Sequence, residues 1–246
     1  MPRFFVSPED IHDNQIEIKG SDVNHIKNVL RMTLGEEISV SDGAGRDYFG
    51  RIIQIDKEAV IVQVENSWNS YVELPAKLYL FQGLPKADKM ELIIQKAVEL
   101  GAFSIIPVET KRCVVKLDAK KAAKKVARWQ QIAESAAKQS KRMLIPEIHE
   151  VMTYKQALEF AKQLDVKLIP YELAKGMKET REILGEIKPG QSIGIFIGPE
   201  GGFEEEEVAK ALEAGAHAIT LGRRILRTET AGLAILSVLM FQLENE

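Results

Sequence analysis

The stretch Ser192-Ile193-Gly194-Ile195-Phe196-Ile197-Gly198-Pro199-Glu200-Gly201-Gly202 decides the fold. An apolar run of strand length ends in a loop built from three glycines, a proline and a glutamate. Four glutamates, Glu204 to Glu207, then open a helical stretch. A second apolar run, Ala216 to Leu221, ends in Gly222-Arg223-Arg224-Ile225-Leu226-Arg227-Thr228-Glu229-Thr230-Ala231. Strand, helix and strand in succession make the repeating unit of a parallel sheet, and open α/β sheets hold their ligands in loops at the carboxyl ends of the strands.

Outward from this unit the same alternation continues toward the N-terminus. Strands are expected at Leu78 to Phe81, Ser104 to Val108 and Val166 to Pro170. Helices are expected at Met90 to Leu100, stopped by Gly101, at Ala119 to Lys141, and at Thr153 to Leu164 with Thr153 as N-cap. Thr228 to Leu243 reads as a final, almost wholly apolar helix with Thr228 as its cap. A helix without a polar face must be buried on nearly every side, which a subunit interface explains economically.

Residues 1–72 have another character. Ile16 to Ile18, Glu37 to Val40, Tyr48 to Ile55 and Ala59 to Val64 read as short strands, interrupted by one helix at Asp22 to Arg31 that Asp22 can cap. This spacing fits a small barrel or sandwich. Trp68-Asn69-Ser70-Tyr71 reads as a linker, so the expected domains are 1–72 and 73–246.

With 246 residues, 45% hydrophobic and 28% charged, the chain has ample material for a core. It contains no apolar run of membrane-spanning length, and its N-terminus turns polar too quickly for a signal peptide. The single cysteine, Cys113, fits a reducing cytoplasm. His12, His25, His149 and His217 are scattered, so no metal is expected. The net charge of −3 hides an asymmetry: residues 1–72 hold 7 Lys/Arg against 12 Asp/Glu, whereas residues 86–142 hold 14 against 6. A basic segment in an acidic chain fits an anionic partner, or a solvated helical face.

The glycines of the first loop let backbone approach a ligand closely, and Pro199 shapes the loop in advance. The loop lacks the lysine and Ser/Thr of a phosphate site, and Glu200 would repel a phosphate. It therefore suits a neutral or cationic ligand with an adenine or ribose edge, or serves only as a tight strand-to-helix turn. Glu204 and Glu207 form a capping-box pair, with Phe203 stapling onto Val208. In the second loop, Ile225 and Leu226 between arginines suggest a buried apolar ledge for a planar base. Arg223, Arg224 and Arg227 would face anions, or would pair with Glu204 to Glu207 or neutralise helix termini.

Together, Gly198-Pro199-Glu200-Gly201-Gly202-Phe203 and Leu221 through Ala231 resemble the two signature motifs of the 16S ribosomal RNA uridine-N3 methyltransferases of the SPOUT superfamily. Lys89-Met90-Glu91 through Gly101, Pro107 with Arg112, and Ala136 to Arg142 with Pro146 resemble further family patterns. His25 to Arg31 followed by Asp42-Gly43 resembles its small RNA-binding domain. The chain departs from the family at Cys113, Lys138 and Glu204, outside both signature loops.

The resemblance implies a PUA-like β-barrel, then an α/β domain with a parallel sheet and a deep C-terminal trefoil knot. It implies a homodimer that methylates N3 of a uridine in the small ribosomal subunit with S-adenosylmethionine. The cofactor pocket carried over comprises Leu168, Pro170, Tyr171, Gly198, Pro199, Glu200, Gly201, Leu221, Gly222, Ile225 and Leu226. N3 lies on the pairing edge of the base and is protonated at neutral pH, so an exposed base and removal of a proton are needed. Arg227 is expected to position the uridine and stabilise the developing anion, with Glu200 or Glu229 as base. The expected RNA-binding residues are Lys27, Arg31, Arg112, Lys116, Lys121, Lys125, Lys141, Arg142, Arg223 and Arg224, with Arg46, Lys120 and Lys124 nearby. The rivals are a catalytically silent RNA-binding or assembly factor on the same fold, and an α/β enzyme with a different adenosine ligand.

Overall fold

The computed structural model describes residues 1–69, 72–171 and 176–244. These form two compact units: residues 1–73 together with 137–145, and residues 74–136 together with 146–246. No sequence cue assigns 137–145 to the first unit.

The first unit is a six-stranded sheet of β1 (Arg3–Phe5), β2 (Ile11–His12), β3 (Gln15–Lys19), β4 (Glu37–Ser41), β5 (Arg46–Ile55) and β6 (Ala59–Asn69). Their order is β1-β4-β5-β6-β3-β2, antiparallel throughout except for β1 beside β4. Alternating Ile16, Ile18, Ile38, Val40, Ile52, Val60 and Val62 fill its core with Phe4 and Ile26. Strand β6 runs through Trp68 and Asn69, which the sequence had assigned to a linker; their pairing with Asp47 and Arg46 extends the ladder. Ser70 and Tyr71 of that linker lie outside the described residues. The expected helix begins at Gly20, not at a capping Asp22: helix α1 (Ser21–Asn24) passes directly into a wider turn at His25–Val29. The Asp22 carboxylate instead receives Lys138 Nζ at 2.9 Å.

The second unit has a sheet of β7 (Lys77–Gly83), β8 (Ala102–Glu109), β9 (Glu147–Ile148), β10 (Met152–Thr153), β11 (Val166–Pro170), β12 (Ser192–Ile197) and β13 (His217–Ile219). The order is β10-β8-β7-β12-β11-β13, with β9 also on β8, and every pair is parallel. Five of these strands lie where the apolar runs predict them. The last is shorter than Ala216 to Leu221, because Tyr171 takes the Ile219 carbonyl and Thr220 turns its amide to the Thr180 hydroxyl. Phe81 and Phe196 stack with ring centroids 4.3 Å apart at the centre of the sheet.

The helices are α2 (Lys89–Glu99), α3 (Ala119–Gln139), α4 (Tyr154–Ala161), α5 (Met177–Gly185), α6 (Glu205–Glu213) and α7 (Thr228–Leu243). Helix α5 escapes the sequence reading because Met177-Lys178-Glu179-Thr180-Arg181 offers few apolar positions. Helix α7 buries Gly232, Ile235, Leu236, Leu239 and Leu243, yet leaves Val238 and Phe241 facing out, Phe241 at 85% exposure. No helix among the described residues is long and apolar enough to cross a membrane.

Candidate active site

The carboxyl ends of β11, β12 and β13 converge on one cavity of about 1040 Å³. Its walls are Pro170 and Tyr171 after β11, Gly198 to Phe203 after β12, Thr220 to Thr228 after β13, and Lys89, Arg112 and Met177. This is the edge where loops of a parallel sheet leave room for a ligand. Two glycines in the walls have positive φ, Gly202 at +69° and Gly222 at +109°, and a Cβ at either would meet nothing within 4 Å. Bare backbone therefore faces open space on both sides of the cavity.

The first loop is braced from behind. A Cβ on Gly83 would lie 2.7 Å from the nitrogen of Pro199, so β7 admits no larger residue there. Arg112 runs alongside Gly201, donating Nη1 to its carbonyl at 2.8 Å and Nε to Glu204 at 2.9 Å. The buried carboxylate of Glu207 accepts from the amides of Lys111 and Glu204, each at 2.9 Å. Glu204 is thus the N-cap of α6, as its spacing to Glu207 predicts, and Phe203 and Val208 share one apolar cluster. Glu206 is held down at about 2 by Lys111 first and Lys210 next.

Glu200 faces the loop before α2. It accepts from the Lys86 amide at 3.1 Å and pairs with Lys89 Nζ at 3.0 Å. Burial pushes its carboxyl up, but backbone donors and the Lys89 ammonium outweigh that and leave it below the ordinary range. The same ammonium lies 3.4 Å from Glu229, whose Oε2 is buried without a hydrogen-bond partner among the described residues. Arg223, Arg224 and Arg227 are exposed, and among the described residues no ion pair engages them. The alternative pairing with Glu204 to Glu207 is not seen among the described residues: Glu204 pairs with Arg112, Glu206 with Lys111 and Lys210, and Glu207 accepts backbone amides. Ile225 is not buried between arginines: the loop turns it outward to 87% exposure, while Leu226 is half-buried.

Residues 72–240 match the RNA methyltransferase domain family, and residues 18–65 match the RNA methyltransferase PUA domain. The chain belongs to the RNA methyltransferase family. A relative from Bacillus subtilis (strain 168), the ribosomal RNA small subunit methyltransferase E, is 40% identical over 99% of this chain and 98% of its own. The protein of the same name from Mesomycoplasma hyopneumoniae is 36% identical over 96% and 98%. A solved ribosomal RNA small subunit methyltransferase E from Neisseria gonorrhoeae, bound to S-adenosyl methionine, superposes with a TM-score of 0.84 at 35% identity, covering 98% of each chain. The first unit is accordingly the PUA-like part of this methyltransferase, and the parallel sheet its methyltransferase part.

Of the residues carried over for the cofactor, all but Leu168 line the cavity. Leu168 is fully buried between Ile195 and His217 in the sheet; only the residues beyond its strand end reach the cavity. Arg227, Glu200 and Thr228 also line it, but Thr228 is the first residue of α7 and Arg227 its N-cap. Thr228 cannot cap because its hydroxyl is committed to Gly198.

The residues expected on RNA divide. Lys116 pairs with Glu109 and Lys121 with Asp118 at the surface, and Lys125 lies 5.8 Å from the Trp129 ring. Lys27 donates to the Asp56 carbonyl, and Arg31 and Lys141 are exposed with left-handed backbone. Arg142 corrects the expectation: it is 5% exposed and bonded to Glu73, so its charge serves the interior of the first unit. Among the described residues, no group of His, Cys, Asp or Glu could hold a metal.

Lys89, Gln82 and Thr228 are functional candidates that sequence reasoning passed over. Only Thr228 lay within a signature loop. Nothing local marks Lys89 as the partner of two acids far along the chain.

Proposed function

We propose that this protein transfers the methyl group of S-adenosylmethionine to N3 of a uridine in 16S ribosomal RNA of the small ribosomal subunit. The observation that carries the reading is one cavity joining two bare glycine walls to three arginines that form no ion pair among the described residues. The donor set fits the cofactor. Apolar Ile197, Leu221 and Leu226 suit an adenine face, open backbone at Gly202 and Gly222 suits its edges, and no phosphate clamp is needed for a ligand without phosphate. When bound, this cofactor supplies an electrophilic methyl group on a cationic sulfur.

The chain's own residues then divide the work. Arg227, exposed at the start of α7, orients the uridine and stabilises negative charge on its carbonyl oxygens. Glu229, whose Oε2 lies 3.4 Å from the Lys89 ammonium and has no other polar partner among the described residues, is the candidate to receive the N3 proton. Glu200 is the weaker candidate base, since a carboxylate pinned by Lys89 and the Lys86 amide binds a proton poorly. Arg223 and Arg224 meet the RNA backbone, joined by Lys27, Arg31, Lys116, Lys121, Lys125 and Lys141. Arg112 acts first as the brace of Gly201.

The reading extends to domains at 1–72 and 73–246 with RNA-binding and methyltransferase roles, to a knotted threading of the C-terminal segments, and to the cytoplasm. It includes a homodimer, supported by the outward Val238 and Phe241 of α7 and by Leu92 on the neighbouring α2. Single-turnover methylation of small-subunit RNA is the test. Arg227→Ala and Glu229→Gln should each lose about 100-fold or more at near-normal cofactor affinity. Glu200→Gln should stay within about tenfold. Normal rates for the first two sink these roles, and absent cofactor binding in a calorimetric titration of the parent protein sinks the activity.

A further inference from the structure

Gln82 stands at the end of the central strand β7 with no exposed surface. Its carboxamide Nε2 donates to the Gly83 carbonyl at 2.9 Å and to the Thr228 hydroxyl at 2.9 Å. Thr228 in turn donates to the Gly198 carbonyl at 2.6 Å. The Gln82 Oε1 is buried without a hydrogen-bond partner among the described residues.

The direction of this chain follows from the donors. The Gly83 carbonyl can only accept, so the amide nitrogen must face it, and the same nitrogen occupies a lone pair of Thr228 Oγ1. The single hydroxyl proton of Thr228 is thereby left for Gly198. A buried amide oxygen without a donor is costly, so a leucine filling the same space would favour stability. What leucine could not do is set the polarity of the Thr228 hydroxyl.

The three residues joined are the strand end under the cavity, the first residue of the glycine loop, and the residue between Arg227 and Glu229. We infer that Gln82, acting through Thr228, is a positioning residue that locks the cofactor loop in register with the two side chains that handle the uridine. The bonds of the relay all run between protein groups. The relay fixes the distance between the cofactor wall and the start of α7, where a small misplacement is expensive in rate. This inference rests on the methyltransferase reading for its kinetic consequences and on geometry alone for its mechanical ones.

The test uses the full-length protein and the variants Gln82→Leu, Thr228→Val, Thr228→Ser and the Leu/Val double, with S-adenosylmethionine affinity by calorimetry and single-turnover methylation. Thr228→Val and Gln82→Leu should each lower the methylation rate about 10- to 100-fold while the cofactor dissociation constant rises only about threefold. Thr228→Ser should restore the rate, and the double variant should be no slower than the worse single one, since one relay can be broken only once. Hydrogen exchange gives a readout independent of activity: the Gly202 amide, bonded to the Pro199 carbonyl at 2.9 Å, should exchange faster in Thr228→Val than in the parent. Unchanged exchange, or additive losses in the double variant, overturns the relay. A parent protein that binds no S-adenosylmethionine overturns the functional reading and leaves the exchange result to decide the relay.

Discussion

The ammonium of Lys89 sits between Glu200 and Glu229, so these three groups together carry one net negative charge, with Lys89 and Glu200 lining the cavity. That suits a cationic ligand better than an anionic one. It also has a pH signature. Glu200 is lowered below 4.5 by donors that exist only in the folded protein, so its contribution is fully present above that value and fades as pH falls through the lowered one. Cofactor affinity of the parent should therefore be flat from pH 8 to about 5. In Lys89→Met, Glu200 loses its cation and repels Glu229, its carboxyl rises, and the loss of affinity on acidification should begin at a higher pH than in the parent. Titrations at three pH values read this directly, and a flat profile in the variant would show that Lys89 is electrostatically idle.

At the scale of elements, Glu207 links the N-terminus of α6 to the loop after β8 by accepting two backbone amides with one carboxylate. Glu207→Gln keeps the volume but has one oxygen to offer two amides. It should cost about 1–3 kcal/mol, read as a lower urea midpoint at constant slope. Elements built from short-range chemistry were legible beforehand: Val166–Pro170 and Ser192–Ile197 are apolar runs bounded by polar or glycine residues, and Thr153 caps α4 with Gln156 three residues on. Elements that exist because of distant partners were not. Arg3–Phe5 is three residues long and becomes a strand only beside Ser39–Ser41. Thr228 looks like a cap until Gly198 and Gln82 claim its hydroxyl. The two loops of the cavity were legible as a pair, but Lys89, Gln82 and the brace from Arg112 were not, because each reaches them from an element distant in sequence: helix α2, strand β7 and the turn after β8.

For the molecule as a whole, α7 is apolar all round and yet leaves Phe241 and Val238 uncovered. Phe241→Asp should convert the proposed dimer to a monomer in sedimentation equilibrium without unfolding the chain, and a dimer that persists would place the interface elsewhere. RNA affinity should fall steeply with salt, and removing Lys121 and Lys125 together should flatten the slope of log K against log salt by about 1–2. Arg142→Ala should instead act on stability, since that guanidinium is bonded to Glu73 inside the first unit. The charge asymmetry of the sequence had placed Lys121, Lys125 and Arg142 together, and burial and the division into units separate them.

The chain passes between its two units after residues 73, 136 and 145. Read along a ribosome, this imposes a delay. The six strands of the first sheet have emerged once Asn69 has, but Arg142 and Met143, which bond to Glu73, arrive only later. At 5–20 residues per second the wait between residues 73 and 145 is about 4–14 s, longer than a small β-sheet needs to form. The N-terminal unit must therefore spend its first seconds with Glu73 lacking its cationic partner, and cannot be completed until β7, β8 and α3 of the other unit have been synthesised.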